Sequence, residues 1–464
     1  MRMKISEIAP WIEKSERRGD ATFEGVSTDS RSIAPGNLFV ALKGKHFDGH
    51  DFLKEMEKKG AAAVVAEKIP EGFALPALLV ENSLQALAEM AKHYRRRFLP
   101  ELIAVVGSNG KTTVKEMIAK ILEEHFGQDH YLATQGNLNN EIGVPITLFG
   151  LNEKHRAAVV ELGMNHPGEI ATLAAIAQPT VALVNNAQRE HMEHMHSVFA
   201  VAEENGQAIR ALPANGMAII PADDAFASLW KDYARESGTR SIATFGLGSA
   251  ADVTGVYDTG TNTLLLRTKE WESAVRLSVM GQHNAHNALA AAACAWSMGI
   301  DKEHIAKGLE AFRAVTGRLQ RTEAANGATL INDSYNANPD SVIAAIDVLA
   351  MAKEPRILVL GDMGETGTSA ERFHREVGAY AREKGISTLF TLGELARYAK
   401  KAYLEKTEGK TEVTQAKAAH FEELGKLLES LEMEAGPSAT ILVKGSRFMR
   451  MERVVAHLMN KDER

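Results

Sequence analysis

Residues 102–113, Leu-Ile-Ala-Val-Val-Gly-Ser-Asn-Gly-Lys-Thr-Thr, constrain this chain more than any other stretch. An apolar run enters a turn framed by Gly107 and Gly110. Lys111, Thr112 and Thr113 then lead into an amphipathic segment. Val114, Met117, Ile118, Ile121, Leu122 and Phe126 recur at the spacing of one helical face. The pattern predicts a buried strand, a phosphate-cradling loop and a helix N-terminus, in that order. Backbone N–H groups of Gly107, Ser108, Asn109 and Gly110 can then point at phosphate oxygens. Lys111 adds a point charge, and the Thr112 hydroxyl can ligate Mg²⁺. In the usual G-x-x-x-x-G-K-[ST] pattern the outer glycine falls at Val105, so the motif here is a shortened one. A purely structural corner with a solvated lysine is the bland alternative. The order of strand, glycines, Lys-Thr pair and helix is the one phosphate binding needs.

At 464 residues the chain is too long for a single core, and about three domains are expected. The net charge of −7 gives no reason to expect nucleic-acid binding, so any positive potential that meets a phosphate must be local. The single cysteine, Cys294, is flanked by alanines. That excludes a disulfide framework and suits packing in a reducing compartment. No apolar stretch reaches spanning length, and residues 1–7 lack the apolar core of a signal peptide. A cytoplasmic, monomeric protein without membrane insertion is expected.

Residues 1–98 read as a small α/β domain, with strands at 38–42, 62–66 and 77–80. A helix from 83 to about 98 closes it, with Ser83 as N-cap. Asp29, Ser30 and Arg31 offer a hydroxyl and a guanidinium that suit a diphosphate or sugar nucleotide, or an ordinary turn. Residues 99–312 alternate apolar strands (157–162, 181–185, 217–220) with helical patterns, as in a parallel sheet. Ligands of such sheets lie at the C-terminal strand ends. Glu161, Asn185, Asn186 and His191 fall there, and Glu161 and His191 are candidate Mg²⁺ ligands beside Thr112. The loop holding Asn137, Asn139 and Asn140 offers neutral hydrogen bonds to a peptide or sugar. Asn284 and Asn287 precede an alanine-rich helix former, where they can cap the helix or meet a nucleotide. Residues 313–464 read as a Rossmann-like domain of four strand-helix units, with strands at 328–331, 357–360, 388–392 and 440–443. It has no G-x-G-x-x-G fingerprint, which argues against NAD.

Taken together, these motifs resemble the ATP-dependent Mur ligases of peptidoglycan synthesis, over essentially the whole chain. The resemblance rests on Asp29-Ser30-Arg31, the 107–113 loop, Glu161, His283-Asn284 with Asn287, and Gly317-Arg318. It rests further on Asp333-Ser-Tyr-Asn-Ala-Asn-Pro339 and Lys444-Gly-Ser446. Tyr335 to Ser341 and Gly361-Asp-Met-Gly-Glu365 are similar to the last-acting member, and the Asp-Asn-Pro-Arg motif of the preceding member is absent. The resemblance implies ATP and Mg²⁺, with UDP-N-acetylmuramoyl-tripeptide and D-alanyl-D-alanine as substrates. It implies Lys111, Glu161, His191 and Arg318 as catalytic residues. Ser30 and Arg31 would hold the uridine diphosphate, and Asp333 the nucleotide ribose. Asn336 and Asn338 would contact substrate. The domains would move to bring the reactants together.

One position departs from the family pattern. Many members carry a carbamate-modified lysine after the histidine, and Asn205 stands in its place. Glu203, Glu204 or Glu190 then supplies the missing anion, or a second Mg²⁺ is held by His191, water and the acyl phosphate. Competing readings are a sister amide ligase, of folylpolyglutamate or cyanophycin type, and a nucleotide-dependent switch ATPase. The Asp29-Ser30-Arg31 unit argues for a UDP-sugar.

Overall fold

The computed structural model describes residues 1–248, 250–405 and 416–460. Residues 406–415 and 461–464, within the expected last domain, lie outside the described residues. The phosphate-loop strand, Glu101–Val106, runs through the interior of a nine-stranded sheet between Val181–Val184 and Ala157–Glu161. Leu102 to Val106 are all fully buried, because helices cover both faces of this parallel region. The parallel part runs from Tyr131–Ala133 at one edge to Val253–Asp258. An antiparallel pair, Thr263–Arg267 and Glu272–Arg276, extends the other edge. Its apolar run, Leu264 to Leu266, is short, and Glu272–Arg276 is mostly exposed, so the hairpin was not among the strands expected from sequence.

The phosphate-loop helix is Lys111–Phe126, and the helix Gln282–Ser297 packs against it. Ala288 to Ala293 are fully buried, and alanines let the two backbones approach closely. Gln282 to Asn287 are the first turns of this helix rather than a segment ahead of it, because the turn at Gly281 (φ 101°) comes first. Cys294 is buried in the same core, and burial pushes its thiol pKa up, in keeping with a packing role.

The first domain holds a five-stranded sheet containing Leu38–Val40, Ala63–Ala66 and Ala77–Leu79. Its helix Ser83–Arg95 lies against the central domain, and the buried Tyr94 hydroxyl donates to the Leu151 carbonyl at 2.8 Å. The N-cap is Asn82, not Ser83. Asn82 is extended, and its side chain accepts from the Gln85 N–H at 2.8 Å, whereas Ser83 is already helical and buried.

The last domain is a six-stranded sheet. The four expected strands appear as Thr329–Asp333, Arg356–Gly361, Thr388–Leu392 and Thr440–Lys444, mutually parallel where they pair. Two edge strands were not expected: antiparallel Gln320–Glu323 and parallel Lys417–Phe421. Gln320–Glu323 is polar, and in Lys417–Phe421 a lysine and a histidine break up short apolar stretches, so an apolar-run criterion passes over both. Three α/β units thus follow one another, with the central and last sheets presenting C-terminal strand ends to a shared cleft.

Candidate active site at the phosphate loop

A cavity of about 830 Å³ lies between the central and last domains, and residues 108–113 line it. Gly110 sits at φ 82°, and a Cβ there would collide with the Asn287 Oδ1. The close approach is used: Asn185 Nδ2 donates to the Asn109 carbonyl (2.8 Å) and to Asn287 Oδ1 (2.9 Å). Asn287 Nδ2 in turn donates to Asn284 Oδ1 at 3.2 Å. Asn284 and Asn287 thereby fasten the loop from behind, as well as lining the cavity. A second set of bonds holds the front. The Asn109 N–H donates to Asn186 Oδ1 at 2.9 Å, and the Gln188 N–H donates to Ser108 Oγ at 2.8 Å. The loop after the strand Val181–Val184 and the first turns of the helix Gln282–Ser297 therefore fix the cradle. His283 also lines the cavity; desolvation pulls its pKa down, so the imidazole is neutral.

Lys111 folds back onto the loop. Its Nζ donates to the Gly107 carbonyl, to the Ser108 carbonyl at 3.2 Å and to Glu190 Oε2 at 3.3 Å. Glu161 accepts from Asn139 Nδ2 at 2.7 Å through Oε1, and its N–H donates to Thr134 Oγ1. Among the described residues, Glu161 Oε2 and Glu190 Oε1 are buried with no hydrogen-bond partner. An unpaired buried carboxylate oxygen is costly unless a cation meets it. With the Thr112 hydroxyl on the same wall, the donor set is hard oxygen, which fits Mg²⁺. His191 stands beside it at φ 48°, with Nε2 3.9 Å from Glu190 Oε2 and Nδ1 2.5 Å from Glu365 Oε2. That contact with His191 is the main reason the Glu365 carboxyl is held below its usual range.

Of Glu190, Glu203 and Glu204, Glu190 lines the cavity. Glu204 is otherwise engaged: its carboxylate accepts from the N–H groups of Gly168 (2.9 Å) and Ile170 (2.7 Å), at the start of the helix Glu169–Ala177. Glu204 does not line the cavity. Glu203 and Asn205 do not line the cavity.

The last domain contributes the opposite wall. Asp333 accepts from the Leu319 N–H at 3.1 Å and from Lys444 Nζ at 2.6 Å, in a nearly buried ion pair. The Arg318 guanidinium lies 4.2 Å from the Tyr335 ring centroid, and both face the cavity. Asn336 also lines it, with its Oδ1 accepting from the Ala337 N–H. Asn338 caps the helix Pro339–Ala350, and its amide pairs in both directions with that of Asn109, at 2.9 and 3.3 Å. It therefore joins the last domain directly to the phosphate loop.

The remaining candidates divide between the cavity and the surface outside it. Asn139 reaches the cavity and orients Glu161. Asn140 lines it too, but its side chain accepts from the Gly143 N–H, and Asn137 is exposed outside it. Ser30 and Arg31 do not line the cavity either. Arg31 pairs bidentately with Asp29 (2.9 and 2.8 Å) and holds that carboxyl down at about 2. Arg189 was not singled out in the sequence, since no spacing marks it. It bridges Asp340 and Glu376 of the last domain, with shortest contacts of 2.6 and 2.7 Å.

Three family models match the chain in succession. They are the Mur ligase family catalytic domain (residues 22–95), the Mur ligase middle domain (105–295), and the Mur ligase glutamate ligase domain (317–447). The UDP-N-acetylmuramoyl-tripeptide–D-alanyl-D-alanine ligase of Escherichia coli K12 is 38% identical over 460 residues, 98% of each chain. A crystal structure of MurF from Acinetobacter baumannii superposes with a TM-score of 0.86 at 32% identity, over 95% of this chain and 94% of that one. MurF from Thermotoga maritima in complex with ADP superposes at 0.79, with 25% identity over 94% and 97%. The matches run through the phosphate loop, both walls of the cavity and the first domain alike, and on that basis the chain belongs to the Mur ligase family.

Proposed function

We propose that this protein is an ATP-dependent ligase that joins D-alanyl-D-alanine to UDP-N-acetylmuramoyl-tripeptide, forming ADP and phosphate. The observation that carries the reading is the phosphate loop with two unpaired buried carboxylate oxygens beside it, in a cavity whose other wall is a second domain. Full-length similarity to relatives of that name supports the choice of substrates. The proposed domains are residues 1–98 for the UDP-sugar, 99–312 for ATP and 313–464 for closure. Among the described residues no helix is long and apolar enough to cross a membrane. Work as a cytoplasmic monomer is part of the proposal.

A carboxylate does not condense with an amine in water, so it must first be activated. Transfer of the γ-phosphoryl group to the tripeptide carboxylate makes an acyl phosphate and ADP. The amine of D-alanyl-D-alanine attacks the acyl carbon, and the tetrahedral intermediate expels phosphate. Loop N–H groups and Lys111 meet the charge that develops on the phosphoryl oxygens. Arg318, from the other wall, reaches the phosphates when the domains close. Asp333, held by Lys444, faces the ribose. Glu161, Thr112, Glu190 and His191 would hold Mg²⁺, which supplies Lewis-acid stabilisation of phosphoryl oxygens when bound. Ser30, Arg31, Asn137, Asn139, Asn140 and Asn336 are the proposed substrate contacts, the first two for the diphosphate.

Incubation with ATP, D-alanyl-D-alanine and UDP-N-acetylmuramoyl-tripeptide should release phosphate only when both substrates are present. ATP hydrolysis unstimulated by the amine would point to a switch ATPase instead. Glutamate-dependent turnover in place of the dipeptide would point to a sister ligase. A carbamate cannot form on Asn205, so added bicarbonate is expected to leave the rate unchanged. A clear rise with bicarbonate would overturn the assignment of the anion to Glu190.

A further inference from the structure

The phosphate-loop helix has a second end, and metal-ligating side chains gather there. His125 is its penultimate residue, about 21 Å from Lys111 at 1.5 Å per residue. Asp301 is the N-cap of the helix Lys302–Ala311, and His304 lies in its first turn. The two helices touch: a Cβ on Gly308 would lie 2.5 Å from Ile121 Cα, so only glycine permits the spacing. This contact brings the His125 and His304 rings edge to face, with centroids 5.0 Å apart. One ligand atom from each of His125, Asp301 and His304 lies within 4.8 Å of the others.

The plain explanation is a capping interaction. The Asp301 carboxylate accepts from the His304 N–H at 3.0 Å and meets His304 Nδ1 at 2.7 Å. Capping accounts for that pair. It does not account for His125, whose Nδ1 is buried without a hydrogen-bond partner among the described residues. A buried ring nitrogen left unpaired costs free energy that a ligand would recover.

We propose that His125, Asp301 and His304 form a transition-metal site that takes Zn²⁺, with water in the fourth position. Two imidazoles and one carboxylate make a donor set that Zn²⁺ accepts and that Mg²⁺, an oxygen-seeking cation, does not favour. Zinc–ligand bonds of about 2.0–2.1 Å put tetrahedral ligand atoms about 3.4 Å apart. The three ligand atoms already lie within 4.8 Å of one another, so small rotamer adjustments separate the cluster from that spacing. Bound metal would tie the far end of the phosphate-loop helix to the helix beside it, stabilising the central domain at a distance from the chemistry.

The test uses the full chain, stripped with EDTA and free of ATP and Mg²⁺, with His191→Ala as background so that the cavity histidine does not add a second metal site. Titration with Co²⁺ should give one equivalent with the visible absorption of a four-coordinate ion, displaced by Zn²⁺. Zn²⁺ should also raise the melting temperature. His125→Gln and His304→Gln, each checked for unchanged circular dichroism, should lose the spectrum and the thermal shift. Asp301→Asn keeps a capping oxygen, and it should weaken Zn²⁺ binding by about ten-fold or more. Equal binding and thermal shift in the His125→Gln/His304→Gln double variant would overturn the proposal. So would the absence of any Co²⁺ or Zn²⁺ equivalent in the background protein, and the cluster would then be a helix cap alone.

Discussion

Lys111→Ala is expected to lower amine-dependent phosphate release by about 10²-fold or more, the usual cost of losing one preorganised charge contact to a transition state. The Lys111 ammonium is shared among two loop carbonyls and Glu190. Those partners hold it at the mouth of the cradle, where an arriving phosphate can take it over with little reorganisation. Removing it has a second consequence. Glu190, nearly buried, already has one unpaired oxygen and would lose its cationic neighbour. The loss should therefore fall on turnover more than on UDP-sugar affinity, since Ser30 and Arg31 lie outside the cavity. Lys111→Arg should not restore the rate, because a planar fork does not fit a space built for a compact ammonium. Phosphate release measured at saturating ATP checks the prediction, and near-normal turnover would remove Lys111 from the proposed role.

Arg189→Ala is expected to cost about 30-fold in kcat/KM through domain closure rather than through chemistry. Arg189 sits in the central domain, directly before Glu190 and His191. Its guanidinium donates to Asp340 on the helix Pro339–Ala350 and to Glu376 on the helix Ala370–Glu383. Its own N–H also donates to Asp340 Oδ2 at 2.8 Å. Burial alone would lower the Arg189 pKa, but the hydrogen bonds to Asp340 and Glu376 outweigh it and the net shift is upward. The side chain is 22% exposed, so the low end of the range for breaking such a pair, about 2 kcal/mol, applies. That is about 30-fold in the equilibrium between closed and open domains. Scattering of the variant with an ATP analogue should report a larger radius of gyration than the parent. An unchanged radius and an unchanged rate together would mean that the Asn109–Asn338 amide pair closes the cleft unaided.

The parts of the fold legible in the sequence were those whose burial leaves a run. Residues 102–106 are covered by helices on both faces, so they had to be continuously apolar, and the strand could be read directly. The hairpin 263–276 and the edge strand Lys417–Phe421 are half-solvated, so their apolar runs are short and broken by charged residues. Asn82 and Ser83 are both good caps by type. Only the backbone angles decide which residue stands outside the helix. In the site, the phosphate loop and Glu161 were visible because each ends a buried strand. Glu190 appeared only as one of three acids offered in place of a missing lysine. Glu204, equally plausible in the sequence, turned out to be spent on two helix N–H groups.

Residues 102–113 by themselves gave the strand, turn and helix start, and the expectation of a phosphate there, because glycines, Lys-Thr and a helix start stand in sequence-local order. The motifs spread from Asp29 to Ser446 likewise determined the family without any coordinates. What only the tertiary structure decided is how distant residues meet. Asn185 and Asn287 lock the loop from behind, Asn338 and Arg189 draw the last domain onto it, and His125 is carried to Asp301 and His304. These pairings join segments up to 229 positions apart, and no local periodicity encodes them. They follow from sheet order and from how closely helices pack, and those are set by the burial of the whole chain at once.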